Sequence, residues 1–144
     1  RIQVIIDSGS NVPVMPIALA EKYQVTESRA SKAGVSYAVA NGNQIPNLGE
    51  KFFPVVTKEG TLRGYQSQCA DVTSVLQSVN HLNDTNHGVW LDGKNSFMVN
   101  KLTKEVNRID HDGRNFTQEL WVVPPNELAS VAEAINEAGF TGHP

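Results

Sequence analysis

The tetrapeptide Asp7-Ser8-Gly9-Ser10 follows directly on Ile2-Gln3-Val4-Ile5-Ile6, a run that is aliphatic and β-branched apart from Gln3. Such a run, ending in a polar Gly-containing segment, predicts a buried strand that stops at a tight turn with the Asp7 carboxylate on it. Charge is unusual there, because an unpaired ionised group is costly to desolvate. Ser8 and Gly9 can compensate: a hydroxyl and an exposed backbone N–H can donate to the carboxylate, and Gly lets the chain double back. The chemistry open to such a carboxylate depends on a second one. Two carboxylates sharing a proton let one act as base on a water while the other acts as acid toward a carbonyl. Only one Asp-Ser-Gly occurs, so a second carboxylate of the same kind has to come from an identical subunit across a two-fold axis. Asp92-Gly93 and Asp112-Gly113 have no Ser or Thr between Asp and Gly and are expected as hairpin turns.

Other reactive residue types are poorly placed for chemistry. His81, His87, His111 and His143 have no metal-ligand spacing, so neither a metal nor a cofactor is expected and the four are read as surface or loop residues. Cys69 has no evident His partner and is read as a small buried thiol rather than a nucleophile. Trp90 and Trp121 sit in apolar runs and are expected in the core.

The elements that must position Asp7 are mostly strands. Residues 18 to 23, Ala-Leu-Ala-Glu-Lys-Tyr, suit a short helix or turn after Pro13 and Pro16. Residues 37 to 45 alternate about Asn41-Gly42, the dipeptide that best suits a two-residue hairpin turn, and predict a hairpin. Residues 52 to 56 and 62 to 69 form a second, joined through Lys58-Glu59-Gly60. Residues 72 to 83 suit a strand end passing into a helical turn. Further strands are expected at 89 to 91, 97 to 99, 106 to 109 and 120 to 123. Beyond Pro124-Pro125, Leu128, Val131, Ala132 and Ile135 share one face of an amphipathic helix, with Asn126 as N-cap and Gly139 as stop.

A chain of 144 residues with 40% hydrophobic and 19% charged residues fits one soluble, globular domain. Its twelve Lys and Arg are scattered and the net charge is -3, so no nucleic-acid partner is expected. No apolar run approaches the roughly 20 residues that span a bilayer, so no membrane insertion is expected. One cysteine fits a reducing, intracellular setting. Arg1 stands where a Met would open a complete chain, and the apolar run has already begun at Ile2, as in a piece of something longer.

The order of these parts resembles a retropepsin, the aspartic protease domain of retroviral and retrotransposon polyproteins. The resemblance rests on the apolar strand into Asp7-Ser8-Gly9-Ser10, on Leu19-Ala20-Glu21-Lys22-Tyr23, and on Val39-Ala40-Asn41-Gly42-Asn43-Gln44-Ile45 followed by Gly49. Residues 71 to 82 are similar to the apolar pair and helix that close the retropepsin core, and residues 88 to 101 look like the continuation in copia-type retrotransposons. The likeness covers about residues 2 to 123. It implies a mainly β, closed-barrel acid-protease fold with one short helix after the closing strand and a C-terminal amphipathic helix. A protease domain over 1–123 would carry a C-terminal extension over 124–144. It further implies a homodimeric endopeptidase acting on a peptide or polyprotein, with Asp7, Ser8 and Gly9 as catalytic segment and Asn41, Gly42 and Asn43 as the flap that closes over substrate. The sequence departs from the family at Gln77, where most members carry Gly, and in the six residues before Asp7, where members usually have a further strand that helps form the dimer. Those departures keep open an alternative: an inactive domain of this shape, serving as a structural or interaction subunit of a larger assembly.

Overall fold

A computed structural model of the chain describes residues 1 to 38 and 41 to 137. Along it run β1 (Ile2–Asp7), β2 (Val14–Pro16), α1 (Arg29–Lys32), β3 (Ser36–Ala38), β4 (Gln44–Pro46), β5 (Gly49–Thr57), β6 (Leu62–Ala70), β7 (Val75–Ser78), α2 (Val79–Asp84), β8 (His87–Trp90), β9 (Phe97–Asn100), β10 (Val106–Arg108), β11 (Asp110–His111), β12 (Phe116–Val122) and α3 (Leu128–Glu137). Six strands close a barrel in the order β1-β7-β2-β6-β5-β12, with β12 returning antiparallel onto β1. The fold is therefore mainly β, with α2 as the short helix after β7 and α3 at the C-terminal end. Among the described residues no helix is long and apolar enough to cross a membrane.

Alternation makes the barrel. In β1 the side chains of Ile2, Val4 and Ile6 are buried while Gln3 is exposed, which is the two-residue period of a strand lying on a core. Both edges of β1 are used inside the chain, parallel to β7 and antiparallel to β12. The core it faces contains Met15, Phe53, Val55, Tyr65 and Leu120. Burying each such side chain contributes roughly 1.5–3 kcal/mol. Tyr23, Phe53 and Tyr65 stack in a tilted row with ring centroids 5.8 and 5.5 Å apart.

Residues 18 to 23 fold as turns, not as a helix. Ala20 has φ of 53°, which breaks a right-handed helix. The buried Lys51 ammonium then pins the turn from β5, donating to the carbonyls of Ile17 and Leu19 at 2.8 Å each. The first true helix, α1, comes later and went unread in the sequence; a reciprocal Ser28–Ser31 capping box starts it.

Both expected hairpins form. β5 and β6 pair from Gly49↔Cys69 to Val56↔Leu62 around Lys58-Glu59-Gly60. β3 and β4 pair as Ala38↔Gln44 and Tyr37↔Ile45, and this register leaves five residues between Ala38 and Gln44. A two-residue turn at Asn41-Gly42 is thereby excluded, because it would pair residue 38 with residue 45. Val39 and Ala40 lie outside the described residues.

The three-stranded sheet β10-β9-β8 leans on the barrel through the fully buried Met98. A buried hydrogen bond from Thr57 Oγ1 to Asn107 Oδ1, 2.7 Å, joins the two sheets. Both tryptophans are corrections to the sequence reading. Trp90 is 58% and Trp121 40% exposed, because alternation turns them outward beside Val89 and Leu120. Trp90 instead stacks on Phe97, ring centroids 6.4 Å apart. Asp92-Gly93 leads into a 3-10 turn, Gly93–Asn95, while Asp112-Gly113 does turn the β11–β12 hairpin, with Asp112 N–H donating to the Asn115 carbonyl at 3.2 Å. The histidines are also corrected: His81 lies in α2, His87 in β8 and His111 in β11, all partly buried, and His143 lies outside the described residues. After Pro124 a 3-10 turn, Pro125–Glu127, precedes α3, so Asn126 sits inside that turn and does not cap the helix. Gly139 lies outside the described residues.

Candidate active site at the Asp7 turn

Asp7 is the last residue of β1 and pairs in parallel register with Ser78 of β7. The strand ends there because the chain reverses: Gly9 N–H donates to Asp7 Oδ1 at 2.8 Å, an Asx-type turn in which the carboxylate replaces a backbone acceptor. The carboxylate is half-buried at the strand end, and no cation pairs with it among the described residues.

The support for this turn comes from β7. Ser78 is fully buried, and its hydroxyl donates to the Ser10 carbonyl at 2.6 Å while accepting the His81 N–H at 3.1 Å. One oxygen thus latches the turn and caps α2. Gln77, 3% exposed, precedes Ser78 on the same strand, and its Oε1 accepts the Ser78 N–H at 2.9 Å. The bulk that departs from glycine is absorbed as a hydrogen bond.

Two details differ from the sequence reading. Neither serine hydroxyl supports the carboxylate: Ser10 Oγ donates to the Val12 carbonyl at 2.7 Å, and Ser8 is exposed with no side-chain hydrogen bond among the described residues. Gly9 has no positive φ, and a methyl placed there would sit 3.4 Å from Asp7 Oδ1, an ordinary contact. Gly9 therefore supplies its N–H, not an otherwise forbidden backbone shape.

Asn41, Gly42 and Asn43 form the exposed tip of the β3–β4 hairpin. Asn43 N–H donates to Asn41 Oδ1 at 2.9 Å, and Gly42 takes φ of 83°, which Gly adopts freely. The hairpin is anchored at its base, not its tip. Asn47 Nδ2 donates to Tyr37 Oη at 2.7 Å and Gln68 Oε1 at 2.9 Å, and its Oδ1 accepts the Gly49 N–H at 2.8 Å. Gly49 is required there: φ is 123°, and a Cβ would come within 2.5 Å of the Thr26 carbonyl.

Between the hairpin base, α1 and the exit of the Asp7 turn lies a cavity of about 540 Å³, walled by Val12, Pro13, Ala30, Val35 and Tyr37 with His81 beside them. Asp7 does not line it. Asn47 and Ser28, which brace this cavity's wall, were missed in the sequence. The Asn47-Leu48-Gly49 spacing was a usable signal, since an Asn two residues before Gly favours an Asx turn.

Cys69 is buried in β6. Burial, aided by Glu50 and opposed by Lys51, raises the Cys69 thiol above its ordinary range, so the thiolate nucleophile is disfavoured. Among the described residues no three of His, Cys, Asp and Glu come together as a metal-binding group. No protein-family model matches the chain, and neither a curated protein nor a solved structure matches it.

Proposed function

We propose that the chain is a retropepsin-type aspartic endopeptidase that works as a homodimer on peptide bonds of a polyprotein. In it, Asp7 of one protomer and Asp7 of its partner share a proton; one carboxylate takes a proton from water while the other donates to the scissile carbonyl. The observation that carries this reading is the Asp7 turn itself. A carboxylate stands at the end of a barrel strand, held at one oxygen by Gly9 N–H and with no paired cation among the described residues, on a turn latched from a neighbouring parallel strand. The β3–β4 hairpin supplies a flap whose base is hydrogen-bonded through Asn47 and whose exposed tip at residues 41 to 43 carries the local Asn43–Asn41 bond. The cavity between them suits an apolar side chain of an extended peptide.

The alternative is an inactive domain of the same shape that serves as a subunit of a larger assembly. It is favoured by β1 having both edges paired within its own chain, so that the barrel offers a partner no strand edge at this element. Peptide cleavage measured from acidic to neutral pH, together with light scattering, separates the two. A dimer whose cleavage is lost in Asp7→Asn supports the enzyme; a stable monomer without hydrolysis supports the subunit, and full activity of Asp7→Asn discards the catalytic assignment.

A further inference from the structure

Strand β6 carries a positive charge toward the interior with no acid paired to it among the described residues. Arg63 and Tyr65, two residues apart, share the inward face of β6. Arg63 joins no ion pair among the described residues; its Nη1 donates to Met98 Sδ at 3.1 Å, and its Nε is buried without a partner. Tyr65 is 1% exposed, and its hydroxyl is also buried without a partner among the described residues. Two such groups side by side are unusual, since buried polar groups are nearly always hydrogen-bonded.

Both residues line a cavity of about 230 Å³. Gln66, Gln77, His81, Thr85 and His87 add to its polar side, Phe52 and Leu82 form its apolar side, and no Asp or Glu belongs to the lining. Arg63 is the one Lys or Arg of the lining. Burial, followed by the nearby Arg63, holds His87 below the ordinary histidine range, with His81 acting the same way from α2. Those influences favour the neutral form of His87, and the Arg63 guanidinium is the permanent charge of the lining.

We propose that this cavity binds a monocarboxylate with a short apolar stem, its carboxylate bridging the Arg63 guanidinium and the Tyr65 hydroxyl and its stem lying against Phe52 and Leu82. A planar carboxylate matches the fork of a guanidinium and neutralises one charge. Inorganic phosphate, a tetrahedral mixture of monoanion and dianion at neutral pH, matches the planar fork less well and in its dianionic form brings a second charge for one guanidinium. The occupant supplies the acceptors that the protein leaves out, which gives a reason for an arginine and a tyrosine to be buried in this way.

The test titrates butyrate and, separately, inorganic phosphate into the full chain, with calorimetry for affinity and NMR of the His87 ring as a local reporter. Saturable butyrate binding is expected, tighter than phosphate, and it moves the His87 titration upward because the carboxylate offsets Arg63. Arg63→Met, close in volume, weakens butyrate by about tenfold or more, and Tyr65→Phe, which keeps the ring and removes only the hydroxyl, weakens it by a smaller factor, about fivefold. Arg108→Met, at an exposed guanidinium 3.5 Å from Asp110, leaves binding unchanged. The assignment is overturned if wild-type protein shows no saturable butyrate binding, if phosphate binds more tightly than butyrate, or if folded Arg63→Met or Tyr65→Phe binds butyrate as the wild type does.

Discussion

Gln77 and Ser78 are neighbours on β7 and face opposite ways, so one strand serves two regions of contrasting character. Ser78 holds the Asp7 turn, where a negative charge sits half-exposed and the Gly9 N–H and Ser10 carbonyl are bonded. Gln77 lines the Arg63 cavity, where a positive charge lies inside and two donors have no acceptor. A carboxylate left in reach of water costs little and can be positioned by a few backbone hydrogen bonds. A guanidinium drawn partly inside against Tyr65, Met98 and β6 costs more, because its Nε is buried without an acceptor and no counter-charge stands among the described residues. Sign matters less here than burial.

The largest expected effect separates chemistry from stability at the exposed charge. Asp7→Asn keeps an acceptor for Gly9 N–H and is expected to lower peptide cleavage by about 10³-fold or more, while urea midpoints stay close to wild type. A large fall in stability instead would mean that Asp7 is a structural acceptor. Next comes Ser78→Ala, which removes both the latch to Ser10 and the cap of α2. It should destabilise by about 1–3 kcal/mol in urea unfolding, and an unchanged midpoint would disconnect β7 from the turn.

On the buried side, Arg63→Met is expected to be neutral or to stabilise by about 1 kcal/mol in ligand-free protein, since it replaces an unpaired guanidinium with a thioether of similar volume. Loss of several kcal/mol would mean that the guanidinium has a partner in solution. Gly9→Ala should change stability by less than about 0.5 kcal/mol, because neither its φ nor its contacts demand glycine.

The smallest effect is one of pH. The folded-state pKa of His87 is depressed below its unfolded value near 6.5. Between those two values the unfolded chain binds the extra proton and the folded chain does not. The stability that His87 contributes is therefore present above about 6.5 and lost as pH falls through the lower, folded value. Unfolding curves collected from pH 7 downward should lose part of this slope in His87→Gln; an identical slope would place His87 in ordinary solvent.

Local pattern alone determined a good deal. The aliphatic run into Asp7, the hairpins about residues 41 to 43 and 58 to 60, the passage from β7 into α2 and the amphipathic stripe of Leu128, Val131, Ala132 and Ile135 are all legible because period and turn chemistry act between residues close in sequence. Tertiary structure decided what depends on distant partners. It closed the barrel by laying β12 on β1, turned Trp90 and Trp121 outward, and shifted the 38-to-44 register away from a two-residue turn. It also gave the latch on Asp7 to Ser78 rather than to the adjacent serines, and enclosed Arg63 with Tyr65. Those outcomes follow from which face of each strand meets the core, and that choice belongs to the whole packed chain, not to any one segment of it.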